Sequence, residues 1–266
     1  MNQAKATPWH GLGTMTHTNL GFKHIFQNAP FAGAGLVGLT LVCWLYFLTG
    51  AGTGMSVLNM SVIGIPSTIL QAEMPASDFY IGVIPMVLMW WTMMLAMMMP
   101  GAFKHHPTDA SGTKSATVTL LSFWLSYASI WLVFSVLVTF VHYLLVDLNI
   151  VHGMKMWSVQ KWFTISLLVI AGLYQFSPIK KRSLANCHAS PQDGAALARG
   201  GIYGLNCLIS SLPWMLLLFV GGVMNIYWVG LLTAIVTLEK LLPNPRPFSL
   251  AIGIASIATA IVIAIV

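Results

Sequence analysis

Residues 117–146 read TVTLLSFWLSYASIWLVFSVLVTFVHYLLV, a run without a single Asp, Glu, Lys or Arg. A helix of about 20 apolar residues crosses the hydrocarbon core of a bilayer. A longer run predicts a helix that tilts or projects beyond it. Backbone amides in hydrocarbon must be satisfied within the segment, and a helix does this without a partner strand. The rest of the chain agrees. Of its 266 residues 57% are hydrophobic and 7% charged, with a mean hydropathy of +0.81. A soluble domain carries about 25% charged residues. So little charge cannot cover a water-facing surface. This composition excludes a cytosolic enzyme, a disordered chain and a disulfide-stapled secreted domain.

Six further apolar runs flank the first, at 31–50, 79–99, 159–177, 201–222, 225–242 and 248–266. The expected fold is therefore all-α: a polytopic transmembrane helix bundle of about seven spans over residues 31–266. A polar segment, 1–30, precedes it. That segment, with Pro8, Gly11 and Gly13, lacks the early apolar core of a cleavable signal. Gly221-Gly222 makes the fifth and sixth runs antiparallel neighbours.

With seven spans and the N-terminus inside, ten basic residues fall on the inner side: Lys5, Lys23, Lys104, Lys114, Lys180, Lys181, Arg182, Arg199, Lys240 and Arg246. Only Lys155 and Lys161 fall outside. Lys and Arg collect on the cytoplasmic side, so the expected location is a cytoplasmic (inner) membrane, multi-pass. Trp157, Trp162, Tyr227 and Trp228 sit near the outer boundaries, where amphipathic rings gather. The formal charge of +6 thus points to membrane lipids as partners and to no nucleic acid. The basic stretch 180–191 reads as an inner loop touching anionic lipid.

Chemistry concentrates in the second span. Between Met86 and Pro100 seven residues are Met, namely 86, 89, 93, 94, 97, 98 and 99. Met86, Met89, Met93 and Met97 form one stripe at helical spacing, with Trp90 beside it. Thioethers are soft, neutral ligands that suit Cu(I). They also fill irregular gaps between helices, so packing is the other reading of the stripe. His105 and His106 follow on the inner side, with Pro107 favouring a loop; they read either as exchange ligands or as a solvated loop. His142, Asp147 and His152 lie near the outer boundary, where a shared site requires the helix to end near Asp147. His10, His17 and His24 recur every seven residues among helix-breaking residues, and carry no site.

Cys43, Cys187 and Cys207 show neither CxxC nor zinc-finger spacing. On the fifth span Gly204, Cys207, Ser211 and Trp214 share a face, which permits a mixed Met/Cys site or simply close helix packing. Glu239 is an ionisable residue within an apolar run, so a functional role and an ion pair near the inner boundary both stand. Ser122, Ser126 and Ser129 form a stripe suited to interhelical hydrogen bonds. No phosphate loop, nucleophile elbow, HExxH or dinucleotide fingerprint occurs, so nothing here marks an enzyme.

Three stretches together carry a resemblance. They are Trp90-x-x-Met93-x-x-Ala96-Met97-Met98-x-Pro100; Ala171 to Lys180 with Tyr174, Gln175 and Pro178; and Gly204-x-x-Cys207 through Trp214-Met215, Phe219, Asn225, Trp228 and Glu239-Lys240. In this order, over roughly residues 80–242, they resemble the bacterial family of uncharacterised predicted metal-binding integral membrane proteins. The resemblance implies a helical membrane fold and a metal site, without a reaction. The chain departs from the pattern at Ser183 and just before Trp214, at Ser210 and Ser211, where the family tends to carry cysteine.

The expected function is binding of a soft metal ion, copper, for delivery to or support of a membrane metalloenzyme. Met93, Met97 and Met98 would hold the ion with Cys207, Trp90 would shield it, and His105 or His106 would exchange it. The alternative is a non-catalytic structural or assembly subunit of a larger membrane protein complex.

Overall fold

The computed structural model describes residues 30–50, 57, 61, 63–65, 82–103, 113–153, 155–189 and 194–265. Among them it is all-helical, with eight helices: α1 (Pro30–Leu48), α2 (Val83–Ala102), α3 (Thr113–Asp147), α4 (Lys161–Tyr174), α5 (Pro178–Ala189), α6 (Ala196–Gly221), α7 (Ile226–Leu241) and α8 (Arg246–Ile265). Each of the seven apolar runs coincides with a helix. Four of these, α2, α3, α6 and α8, are long and apolar enough to cross a membrane, or five spans if the bent pair α4 and α5 counts as one.

The helix α3 shows why an uncharged run folds this way. Its inward face repeats at helical spacing through Leu120, Trp124, Tyr127, Trp131, Ser135 and His142, all buried. Its other face exposes Leu125, Val133, Leu137, Phe140 and Leu144. Large apolar side chains turned outward suit a hydrocarbon solvent. The helix α2 is different, for almost everything from Met89 to Ala102 is buried. It is the inner pillar, flanked by α1, α3 and α7. Its burial follows from its central place among these helices, and its apolar composition lets every side be covered.

Glycine sets one close helix approach and one turn. A Cβ on Gly200 of α6 would sit 2.2 Å from the Phe123 carbonyl oxygen of α3, so α6 and α3 touch backbone to backbone. Gly222, at φ 93°, ends α6 in the left-handed region. Asn225 then starts α7: its side chain accepts from the Tyr227 amide at 3.2 Å and donates to the Gly221 carbonyl at 3.1 Å. The expected antiparallel α6–α7 pair is therefore present.

The stretch 180–191 is not a loop as far as Ala189. It forms most of α5, bent 65° from α4. Pro178 opens that helix, where its missing N–H costs nothing, and the Ser177 hydroxyl accepts from the Ile179 amide at 3.2 Å. Its basic run divides accordingly. Lys181 and Arg182 are exposed, while Lys180 is buried inside the bundle. The aromatic belt divides too: Trp162 and Tyr227 are exposed and Trp157 is buried. The polar segment expected at 1–30 lies outside the described residues, Pro30 excepted.

Candidate metal centre

Four helices converge on one sulfur cluster. On α6, Cys207, Ser210, Ser211 and Trp214 follow one another at positions i, i+3, i+4 and i+7, and so share one face. All are buried. Across from this face α5 presents Cys187, whose thiol lies 3.5 Å from the Cys207 sulfur and 3.9 Å from the Ser210 hydroxyl. Both cysteines are free thiols. From α7, Lys240 reaches between helices. Its ammonium donates to the Cys207 sulfur and to the Met98 thioether of α2, each at 3.4 Å. Tyr127 of α3 and Tyr203 of α6 are fully buried, their ring centres 5.7 Å apart. The Ser210 and Ser211 hydroxyls are tied to the Cys207 carbonyl at 3.0 and 2.6 Å. These serines brace the backbone that carries the thiol.

A second buried cluster adjoins the first through the doublet Glu239-Lys240. Glu239 pairs with Lys180 of α5 at 2.5 Å. It accepts from the Trp214 indole at 3.0 Å and from the Ser249 hydroxyl of α8. Lys180 also donates to Gln175 and stands 5.0 Å from the centre of the Trp214 ring. Both partners of this ion pair are buried. A carboxylate so fully engaged has its charge balanced by one lysine. The second lysine, Lys240, is left to the sulfurs. The ion pair expected of Glu239 is present, with Lys180 as its partner.

The expected site residues divide. Met98 and Cys207 are brought together, linked by Lys240. Met93 and Met97 are fully buried on the same helix, but the sulfur that enters the cluster is that of Met98, about 100° around α2 from Met97. His105 and His106 lie outside the described residues. Trp90 does not shield the cluster: it packs on Phe219, ring centres 5.5 Å apart, and lies about 12 Å along the helix from Met98. Tyr127, Tyr203 and Trp214 are the aromatic neighbours instead. Cys187 and Lys240 are the members that sequence spacing did not assemble. The legible signals are the adjacent soft donors Cys187-His188, which permit a supporting ligand pair, and the ionisable doublet Glu239-Lys240 closing an apolar helix.

The outer constellation does not form. His142 is buried and stacks on Phe219, ring centres 6.2 Å apart. His152 is buried beside Trp157, whereas Asp147 is exposed. No group of three or more His, Cys, Asp or Glu able to hold an ion occurs among the described residues. The donor set of the inner cluster is of another kind: two thiols and a thioether, all soft, with the Lys240 ammonium on one thiol and the thioether. Soft sulfur donors favour Cu(I) and discriminate against hard ions.

A helical bundle with soft sulfur donors at its centre fits the class of copper-handling proteins. The family model PpoB2, described as a copper chaperone, matches residues 87–263, and the chain belongs to that family. The match contains every member of the sulfur cluster. No curated protein and no solved structure is significantly similar to the chain.

Proposed function

We propose that this protein binds copper as Cu(I) within a membrane and passes it to a metalloenzyme in, or assembled at, that membrane. Cys187, Cys207 and Met98 are the ligands. The observation that carries this reading is the meeting of three sulfurs from α5, α6 and α2: Cys207 and Met98 both accept from the Lys240 ammonium, and the Cys187 thiol lies 3.5 Å from the Cys207 sulfur. Three soft donors suffice for Cu(I), which needs no charged carboxylate or imidazole. Met93 and Met97 continue the buried sulfur column along α2 and support passage of the ion. His105 and His106, next after the Met98 end of α2, are suited to exchange it with a partner. The segregation of basic residues supports an inner-membrane location with this end facing inward.

Copper content decides the matter. The protein is purified in mild detergent, loaded with Cu(I) under reducing conditions, and freed of loose metal by a competing chelator. The expected result is close to one copper per chain, lost when Cys187 and Cys207 are both replaced by Ser. Copper near zero in the unaltered protein, or unchanged in the double variant, rejects the reading. The first of those results would favour the structural-subunit alternative.

A further inference from the structure

The sulfur cluster already holds a positive charge. Lys240 is 3% exposed, and among the described residues its hydrogen bonds go to two sulfurs rather than to an oxygen. An ammonium is a hard, strongly hydrated ion, and sulfur is a poor exchange for water. The carboxylate one residue away gives it no help, because Glu239 is engaged by Lys180, Trp214 and Ser249. The position is nevertheless enforced. A Cβ on Gly101 would lie 2.9 Å from the Lys240 Cδ, so the absence of a side chain at Gly101 is what lets the lysine stem lie along α2 and deliver its ammonium beside Met98.

We propose that Lys240 is the charge-selecting residue of this pocket: its ammonium fills the cation position in the metal-free chain and, kept beside the loaded pocket as counter-ion, restricts the cargo to soft monovalent ions. The inference rests on the copper reading above and names what that reading left open, the charge the site accepts. The arithmetic is simple. Two thiolates carry two negative charges. One monovalent ion and one ammonium cancel them, leaving the pocket neutral. A divalent ion such as Cd(II) or Zn(II), equally fond of thiolate, would leave one positive charge in excess. In a water-poor interior such an excess is strongly disfavoured. Removing the lysine charge inverts the balance: a monovalent ion then leaves one negative charge and a divalent ion leaves none. The ammonium is the far end of a flexible stem, so a shift of that end, with the stem still held along α2, makes room for the ion between the sulfurs.

The test uses the full chain in lipid nanodiscs, with Ag(I) as the monovalent probe and Cd(II) as the divalent one. Affinities come from chelator competition, read by thiolate-to-metal absorption. The variants are the neutral K240M and K240Q and the charged K240R. Two neutral replacements are used so that failure of one to assemble leaves the other to report. The expected result is that the ratio of Ag(I) to Cd(II) affinity falls about tenfold or more in the neutral variants and stays within about threefold in K240R. An unchanged ratio in the neutral variants overturns the role of Lys240 while leaving the pocket intact. A wild-type chain that binds neither probe through Cys187 and Cys207, judged against the double serine variant, removes the pocket and this inference together.

Discussion

The thiols of Cys187 and Cys207 lie 3.5 Å apart although 20 positions separate them in the chain. They come from different helices, α5 and α6, and both are buried. The pair is close enough to bridge by oxidation with a small movement. It is also close enough to share one ion.

Controlled oxidation therefore has a definite expected product. The chain has three free cysteines. Mild oxidant should remove two of its titratable thiols, counted after denaturation, and leave Cys43 reactive. Peptide mapping should place the bond between Cys187 and Cys207. Loading with Cu(I) beforehand should protect both. Retention of all three thiols after extended oxidation would contradict the observed proximity.

Met98 and Met97 are neighbours in sequence and both fully buried, yet only Met98 meets the Lys240 ammonium. Met98→Leu should weaken Cu(I) binding by about tenfold or more, because Leu keeps the volume and removes the soft donor. Met97→Leu should have a smaller effect on affinity. Equal losses in the two variants would point to the whole methionine column rather than one ligand.

Glu239→Gln breaks the buried pair with Lys180 while keeping the side-chain shape. Losing one partner of a buried ion pair costs about 3 to 5 kcal/mol, so the variant should unfold at clearly lower temperature in detergent. Adding Lys180→Met removes the stranded charge and should recover most of the loss. A double variant no better than the single one would place the damage in the hydrogen bonds from Trp214 and Ser249 instead.

Gly200 and Gly230 make a matched comparison. At Gly200 a methyl meets the Phe123 backbone at 2.2 Å, whereas at Gly230 nothing lies within 4 Å. Gly200→Ala should destabilise by about 1 to 3 kcal/mol through forced separation of α3 and α6. Gly230→Ala should be neutral or slightly stabilising, as alanine favours the helix. Thermal unfolding of the two variants side by side checks this.

The connection between α3 and α4 has its own pH response. His152 is held below its ordinary value of 6.5, first by burial and then by the nearby charge of Lys155. Below that value an unfolded His152 binds a proton that the folded one resists, so the unfolded state binds more protons and stability falls as pH falls. His152→Gln should flatten the decline in unfolding temperature between about pH 6.5 and about pH 5. An unaltered slope would show that His152 does not govern it.

Much of the fold was legible because hydrocarbon-compatible helices announce themselves one at a time. Length without charge marked α3, and the glycine pair at 221–222 marked the turn into α7. The helix α5 was missed because its polar composition imitates a loop, although Ser177 and Pro178 carried a start signal. The site was half legible. Met98 and Cys207 could be named from their soft chemistry. Trp90 lies about two turns along α2 from Met98 and packs on Phe219, because nearness along a helix is not nearness in space.

Composition and periodicity alone settled that the chain is a bundle of apolar helices carrying soft sulfur donors. These are properties of single segments, and each segment meets the solvent on its own terms. Which sulfurs meet was decided only by the packing of α2, α5, α6 and α7. One turn of register, or one residue around a helix, separates Met98 in the cluster from Met97 outside it. The pairing of Glu239 with Lys180, which frees Lys240 for the sulfurs, is likewise a choice between near-equivalent charges, and distance in three dimensions makes it.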